Sequence, residues 1–274
     1  MSDLVPVYSI AKLFTAVAVL ADPAIGLDDA IGTHARVPDA LGHLRVGDLL
    51  RHRSGLGDYA GWVDYREAVA GREAAWPDDL VLERAAAQRV AEPGGFQYSN
   101  IGYLMLRHAL EQRHGVRLTE LLVDRVLGPL GVSSVQPLDR TDDWAGVRRS
   151  AVPDVPAYDP RWVYPGTFAA DPDEIAAAIG ALLGGALGAA IPDVLRRSSL
   201  RLEVPGHPFA EPGYGFGVMT DGVPPTVVGH GGGGPGFTLF VLARADGSAA
   251  HLEVVADEVD DRPLVAACLQ SLGE

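Results

Sequence analysis

The chain is poor in the residue types on which several function classes depend. Its 274 residues include one cysteine, Cys268, so an internal disulfide is excluded, and no Cys or His pair stands at a structural zinc spacing. No metal and no other cofactor is expected. Cys268 sits in an apolar stretch and reads as a buried core thiol. Basic residues number 22 against 36 acidic ones, a formal net charge of -14, and they form no cluster. No nucleic acid and no membrane is therefore expected as a partner, because neither polyanion nor anionic lipid would gain electrostatic attraction. The opening Met-Ser-Asp-Leu-Val-Pro lacks the positive charge and apolar run of a signal peptide. The most apolar segment, Ala11 to Leu20, is ten residues long and contains Lys12, which is too short to span a bilayer. The chain as written is expected in the cytoplasm.

What is present is enough for a large core, since 47% of the residues are hydrophobic. Ile10, Leu13, Phe14, Val17 and Leu20 have the spacing of one helical face, so a helix is expected from Ser9 to Ala21. Further helices are expected over Leu44 to Arg51, Asp78 to Val90, Asn100 to His114 with Gly115 as its stop, and Thr119 to Leu127. Residues 137 to 170, rich in proline, aspartate and aromatics, show no period and read as one long irregular loop. Asp171-Pro172-Asp173-Glu174 supplies a cap, a first-turn proline and first-turn acids for a helix from Pro172 to Leu183. The period then changes. Tyr214 to Thr220, Thr226 to His230, Phe237 to Arg244 and His251 to Val259 read as strands, with Asp246-Gly247 as a hairpin turn and Asp261 to Leu272 as a closing helix. The order implies an α+β architecture in one unit over 1–274, mainly helical over 9–205 and an antiparallel sheet over 206–274.

Ser9-Ile10-Ala11-Lys12 sets a hydroxyl and an amine three residues apart on one helical face. A serine at a helix start also has backbone N–H groups and the positive dipole end nearby, which favour an alkoxide and the oxyanion its attack creates. Lys12 is the single lysine, the other 21 basic residues being arginine. Arginine cannot release its proton inside a protein, whereas a buried lysine can, so this position has a reason to be lysine. The pattern is nonetheless short enough to arise by chance, with Lys12 merely snorkelling from the helix.

Tyr98-Ser99-Asn100 brings a phenol and a carboxamide to a loop-to-helix corner. Taken alone, Asn100 reads better as a helix cap, and Tyr98 can be ordinary packing. Near the end, Gly229-His230-Gly231-Gly232-Gly233-Gly234-Pro235-Gly236 follows a strand, and its glycines permit close approach of backbone or substrate. Gly229, Gly231 and Gly234 also satisfy a dinucleotide pattern, but that pattern must open a helix and the segment from Phe237 onward is a strand. The glycines therefore read as a hairpin connection, and a nucleotide-dependent oxidoreductase is rejected.

Ser9-x-x-Lys12, Tyr98-x-Asn100 and His230-Gly231-Gly232, in that order, resemble the three motifs of the serine β-lactamase and penicillin-binding-protein superfamily. The tyrosine version is similar to class C β-lactamases, DD-carboxypeptidases and β-lactamase-like esterases. Leu49 to Leu56 resembles the family's Leu-Leu-x-His-x-Ser-Gly-Leu segment, and Pro93 to Leu106 its Pro-Gly-x-x-Phe-x-Tyr-Ser-Asn stretch. The resemblance covers nearly the whole chain. It implies a β-lactamase/transpeptidase-like fold, a helical lobe packed on an antiparallel sheet with a C-terminal helix. It implies a serine hydrolase in which Ser9 attacks the carbonyl of a small-molecule or peptide acyl substrate while Lys12 and Tyr98 handle the proton. Asn100 would position substrate or lysine, and the N–H groups of Ser9 and Gly233 would form the oxyanion hole beside Gly231 and Gly232.

His230 stands where many relatives carry lysine, which favours esters, amides or transacylation over penicillin hydrolysis, with the preference narrowing as pH falls and histidine gains charge. The family pattern also places a helix and two strands ahead of the nucleophile, whereas eight residues precede Ser9 here. The strand at 251–259 is thus expected to be an open sheet edge available for self-association. An inactive binding or scaffold relative is the alternative to the enzyme.

Overall fold

The computed structural model describes residues 3–88 and 91–274. The chain opens with β1 (Val5–Pro6), makes a 3-10 turn over Tyr8–Ile10 and enters α1 (Ala11–Ala21). There follow α2 (Asp39–Gly42), α3 (Val46–Leu50), α4 (Val63–Ala70), α5 (Asp78–Ala86), α6 (Asn100–His114) and α7 (Leu118–Leu122). Next come β2 (Gln136–Pro137), β3 (Phe168–Ala170), α8 (Pro172–Leu183) and α9 (Ala190–Arg197). The last part holds β4 (Leu200–Arg201), β5 (Pro212–Tyr214), β6 (Met219–Asp221), β7 (Val227–Gly234), β8 (Phe237–Arg244), β9 (Ala250–Val255) and α10 (Arg262–Leu272).

Strands β4 to β9 form one antiparallel sheet in sequence order, and β1, β3 and β2 form a second, small one. Along β8 the side chains alternate between two cores, as the strand period requires. Leu239, Val241 and Ala243 join the main core with α8, whereas Phe240 and Leu242 pack beneath α10 with Leu264, Val265 and Cys268. Cys268 is the buried thiol expected, its Sγ 3.3 Å from the Phe240 carbonyl. On the helical side α1 is apolar all round, with nine of its residues buried, which suits a helix enclosed by others rather than one lying on a surface. Helix α6 ends at Gly115, whose φ of 69° is the left-handed cap that glycine adopts without strain. Asp171 caps α8 by accepting the Asp173 N–H at 2.8 Å.

Several boundaries differ from the sequence reading, each for a local reason. Ser9 lies in the 3-10 turn, one turn ahead of α1 rather than inside it. Helix α5 stops at Ala86, and Val90 lies outside the described residues. Thr119 to Leu127 is divided between α7 and a π turn over Val123–Leu127. The expected strand from Tyr214 to Thr220 is two strands, β5 and β6, broken at Gly217, where φ is 68°. A Cβ at Gly217 would stand 2.8 Å from the Lys12 carbonyl, so the turn is seated directly against α1. Residues Gly231 to Gly234 are strand rather than connection, and the hairpin turn is only Pro235-Gly236. The long loop carries 3-10 turns at Thr141–Gly146, Val155–Ala157 and Pro160–Trp162, with Trp144, Tyr158, Trp162 and Tyr164 buried in place of a periodic face. Strand β9 ends at Val255 and is an edge of the large sheet. Among the described residues no helix is long and apolar enough to cross a membrane.

Candidate active site

The turn that carries Ser9 is held in an uncommon conformation. Tyr8 has φ of 44°, a left-handed value that costs a non-glycine residue about 1–2 kcal/mol. It is fixed from both ends: its N–H donates to Thr167 Oγ1 at 3.0 Å and its hydroxyl to the Pro235 carbonyl at 2.7 Å. Ile10 N–H donates to the Val7 carbonyl at 3.0 Å and closes the turn around Ser9. The nucleophile candidate therefore sits on backbone whose shape is imposed by the small sheet on one side and the end of β7 on the other.

One helical turn later, Lys12 is 1% exposed and its Nζ stands 3.0 Å from Ser9 Oγ. Burial lowers the ammonium pKa to about 7, with the Asp58 carboxylate acting in the opposite direction. The Tyr98 and Tyr103 rings lie 5.2 and 5.6 Å from Nζ. Burial pushes the Tyr98 phenol above its usual range, partly offset by its hydrogen bond with Ser9. Ser9, Lys12 and Tyr98 are thus brought together.

Asn100 is tied to Asp58. Its Nδ2 donates to Asp58 Oδ1 at 3.3 Å and its backbone N–H to Asp58 Oδ2. Asp58 also accepts the Ala60 N–H at 2.9 Å, so this carboxylate both caps the start of α6 and faces Lys12 electrostatically. If the Asp58 charge holds Lys12 up, Asp58→Asn removes a stabiliser of the ammonium. The acidic limb of the acylation rate, expected near pH 7 in the wild type, should then move to lower pH, and a pH–rate profile of Ser9 labelling reads the shift. An unchanged or higher midpoint would contradict the assignment.

Strand β7 reaches the site with a free side. Of β7, only Val227 to Gly229 pair with β6, so among the described residues the rest of β7 has no strand on that flank. Ala245 N–H donates to the Thr226 carbonyl at 2.8 Å beside the Val227↔Arg244 pair, which sets the hydrogen-bonding phase. By alternation His230 and Gly232 bond to β8, and the peptide groups of Gly231 and Gly233 turn to the open flank. The absence of side chains lets this edge come close: a Cβ on Gly232 would lie 2.6 Å from the Val7 carbonyl, and one on Gly234 2.5 Å from the Tyr8 ring. The open cleft between them, about 730 Å³, is lined by Ser9, Tyr98, His230 and glycines 231–234, with Glu258, Asp260 and Asp261 on its far rim.

His230 lines this cleft yet is 1% exposed, and burial followed by the charge of Lys12 lowers its pKa to about 3. Its Nε2 is 3.0 Å from the Tyr214 hydroxyl and its Nδ1 2.6 Å from the Gly231 carbonyl. The expectation that His230 gains charge in mildly acidic solution is corrected by this burial. His52 and Tyr214, which the sequence reading did not assign to the site, complete the arrangement, with His52 Nε2 3.0 Å from the same hydroxyl. His52 was visible only as part of a resemblance segment, and Tyr214 and Asp58 only through tertiary contacts. Among the described residues no group of His, Cys, Asp or Glu is arranged to hold a metal ion.

Known proteins share the fold that carries this site. A D-aminopeptidase of Brucella anthropi is 29% identical over 144 residues, covering 50% of this chain but only 26% of that protein. The D-amino acid amidase of Ochrobactrum anthropi SV3 in complex with D-phenylalanine superposes with a TM-score of 0.79 at 20% identity, over 99% of this chain and 93% of that one. The D-stereospecific amidohydrolase of a Streptomyces species gives 0.77 at 22% identity, over 98% and 87%. The family model described as Beta-lactamase matches residues 2–267, and the chain belongs to the Beta-lactamase family.

Proposed function

We propose that the chain is a serine hydrolase that forms an acyl-enzyme at Ser9 on small amides or esters, with amides of D-amino acids as the leading substrate class. The observation that carries the reading is the buried Lys12 amine 3.0 Å from Ser9 Oγ with a pKa of about 7, a base poised at working pH. Neutral Lys12 takes the Ser9 proton as Oγ bonds to the acyl carbon, and the N–H groups of Ser9 and Gly233 receive the oxyanion. Tyr98, bonded to Ser9, passes the proton to the leaving amine or alcohol, and water then releases the acid. A different acceptor in that last step would make the same acyl-enzyme a transacylase.

Substrate preference follows from charge. No ammonium stands at position 230, and Glu258, Asp260 and Asp261 rim the cleft, so a substrate carboxylate is unfavourable and a substrate ammonium favourable. The relatives named as a D-aminopeptidase and a D-amino acid amidase fit that sign. A panel of p-nitrophenyl esters, D-amino amides and a chromogenic cephalosporin tests the reading. Turnover of the first two by wild type and not by Ser9→Ala is expected. No turnover of any, and no labelling by a fluorophosphonate, would favour the inactive binding relative. Because His230 stays neutral, the ratio of ester to cephalosporin turnover should remain flat from about pH 8 to about pH 5. A steep narrowing that His230→Gln abolishes would show a cation forming at His230, whereas one that survives the change would belong to Lys12, which titrates in the same range.

We also propose that β9 pairs with β9 of a second copy. Arg244 N–H donates to the Ala249 carbonyl beside the Ala243↔Ala250 pair, so His251 and Glu253 bond to β8 while Ala250, Leu252 and Val254 turn their peptide groups outward. Ala256, next in that alternation, is already taken by Ala151 N–H at 2.7 Å. Antiparallel pairing centred on Leu252 puts each His251 across from the other Glu253. Light scattering should show a dimer that His251→Glu weakens. A wild type that stays monomeric at high micromolar concentration rules the pairing out.

A further inference from the structure

A file of three rings, each 1% exposed, runs between the two motif-bearing regions: His52, Tyr214 and His230. Its hydrogen bonds are Ser99 N–H to His52 Nδ1 at 3.1 Å, His52 Nε2 to the Tyr214 hydroxyl at 3.0 Å, that hydroxyl to His230 Nε2 at 3.0 Å, and His230 Nδ1 to the Gly231 carbonyl at 2.6 Å. The two ends fix both ring protons. A backbone N–H can only donate, so His52 Nδ1 is an acceptor and the ring proton is on Nε2. A carbonyl can only accept, so His230 carries its proton on Nδ1 and presents a lone pair at Nε2. Tyr214 therefore accepts from His52 and donates to His230, and each contact has one proton.

Turning the Tyr214 hydroxyl to its other neighbour, the Tyr103 oxygen, would leave the His230 lone pair facing a lone pair in a dry interior, where an unsatisfied polar group is costly. Protonating His52 would set two donors against each other at the Ser99 N–H. Burial and the neighbouring Lys12 charge hold both rings below the usual histidine range, in agreement with two neutral rings. The file also has a direction in space. His52 lies against the Tyr98 ring, centroids 4.2 Å apart, and accepts from the residue after it, while His230 grips the carbonyl of Gly231 on the free flank of β7.

We propose that Tyr214 is a positioning residue, whose hydroxyl locks His230 as the Nδ1–H tautomer and thereby holds the Gly231–Gly233 edge in register with Ser9 and Tyr98. It touches neither substrate nor nucleophile. Removal of the hydroxyl leaves His52 Nε2–H without an acceptor and frees the His230 ring to turn over, so the Gly231 carbonyl loses its fixed partner. The loss falls on the edge that receives the oxyanion, and so on the rate of acylation rather than on the cleft's affinity for substrate. The kinetic part rests on Ser9 being the nucleophile; the proton assignment does not.

The test has two arms. Long-range proton–nitrogen NMR of the ligand-free wild type should show His52 as the Nε2–H tautomer and His230 as the Nδ1–H tautomer. In Tyr214→Phe, with folding checked by circular dichroism, fluorophosphonate labelling of Ser9 should slow by roughly tenfold or more, and an ester substrate should lose kcat with KM little changed. A wild-type His230 in the Nε2–H form, or a folded Tyr214→Phe labelled at the wild-type rate, overturns the proposal. If Tyr214→Phe does not fold, the wild-type tautomers still decide it. A wild type that resists labelling while showing both expected tautomers would instead sink the assignment of Ser9.

Discussion

Lys12→Arg should abolish labelling of Ser9 by a fluorophosphonate, and Lys12→Met should do the same in a protein that remains folded. Arginine keeps the positive charge and most of the reach of lysine but cannot accept a proton, so a structural ion-pair role would survive the change and a base role would not. Methionine supplies the complementary control. Lys12 is buried to 1% exposure among apolar neighbours on α1, and an unbranched thioether of similar length fills that space without a charge to desolvate. A permanently charged guanidinium is harder to bury there, so some loss of stability in the arginine variant is expected and circular dichroism must accompany the assay. General acid–base groups contribute about 10²- to 10⁴-fold, far beyond any fall in folded fraction of the methionine variant. Intact-protein mass spectrometry reads the adduct directly. Full labelling in either folded variant would mean that the 3.0 Å contact between Lys12 and Ser9 has no part in activating the serine.

The elements that could be read from the sequence are those in which a local signal and the tertiary environment agree. Helix α6 runs from Asn100 to His114 as its period and Gly115 indicate, and α8 is capped by Asp171 as its opening residues indicate. The elements that could not be read are those decided by contact with distant chain. The split between β5 and β6 exists because Gly217 must pass beneath α1, and nothing near Gly217 records the position of Lys12. Residues 137–170 lack a period because each short turn buries its own residue, Trp144, Val155 or Trp162, rather than sharing a face.

The site divides in the same way. Ser9 and Lys12 are three residues apart, so their meeting is a matter of local geometry, and the single lysine in an arginine-rich chain already marked the position. Asp58, His52 and Tyr214 act through partners 16 to 162 residues away, and no spacing encodes such pairs. His230 shows the limit most clearly. Its identity was legible, but the burial that keeps it neutral is a property of the surrounding fold, and that burial removes the expected pH dependence.

Gly232→Ala should reduce Ser9 labelling by about 10²- to 10³-fold, comparable to losing one oxyanion-hole donor, whereas Gly233→Ala should stay within several-fold of wild type. The difference is in what the added methyl group meets. At Gly232 it would stand 2.6 Å from the Val7 carbonyl, with Ile10 Cγ1 at 3.4 Å behind it. That carbonyl is already bound by Ile10 N–H in the turn that shapes Ser9, so it cannot swing aside without loosening the backbone of Ser9 itself. Strand β7 is held by β8 along its whole length, from Val227↔Arg244 to Gly234↔Phe237, and cannot retreat alone. The clash must therefore open the gap between Gly233 and Ser9, at an overpacking cost of about 1–3 kcal/mol. At Gly233 an added Cβ meets nothing within 4 Å, so the strand keeps its seat. Labelling rates of the two variants, with melting temperatures to confirm that both fold, separate a requirement for close seating from a general need for glycine. Equal rates in Gly232→Ala and wild type would show that the contact between β7 and the Ser9 turn does not set the geometry of acylation.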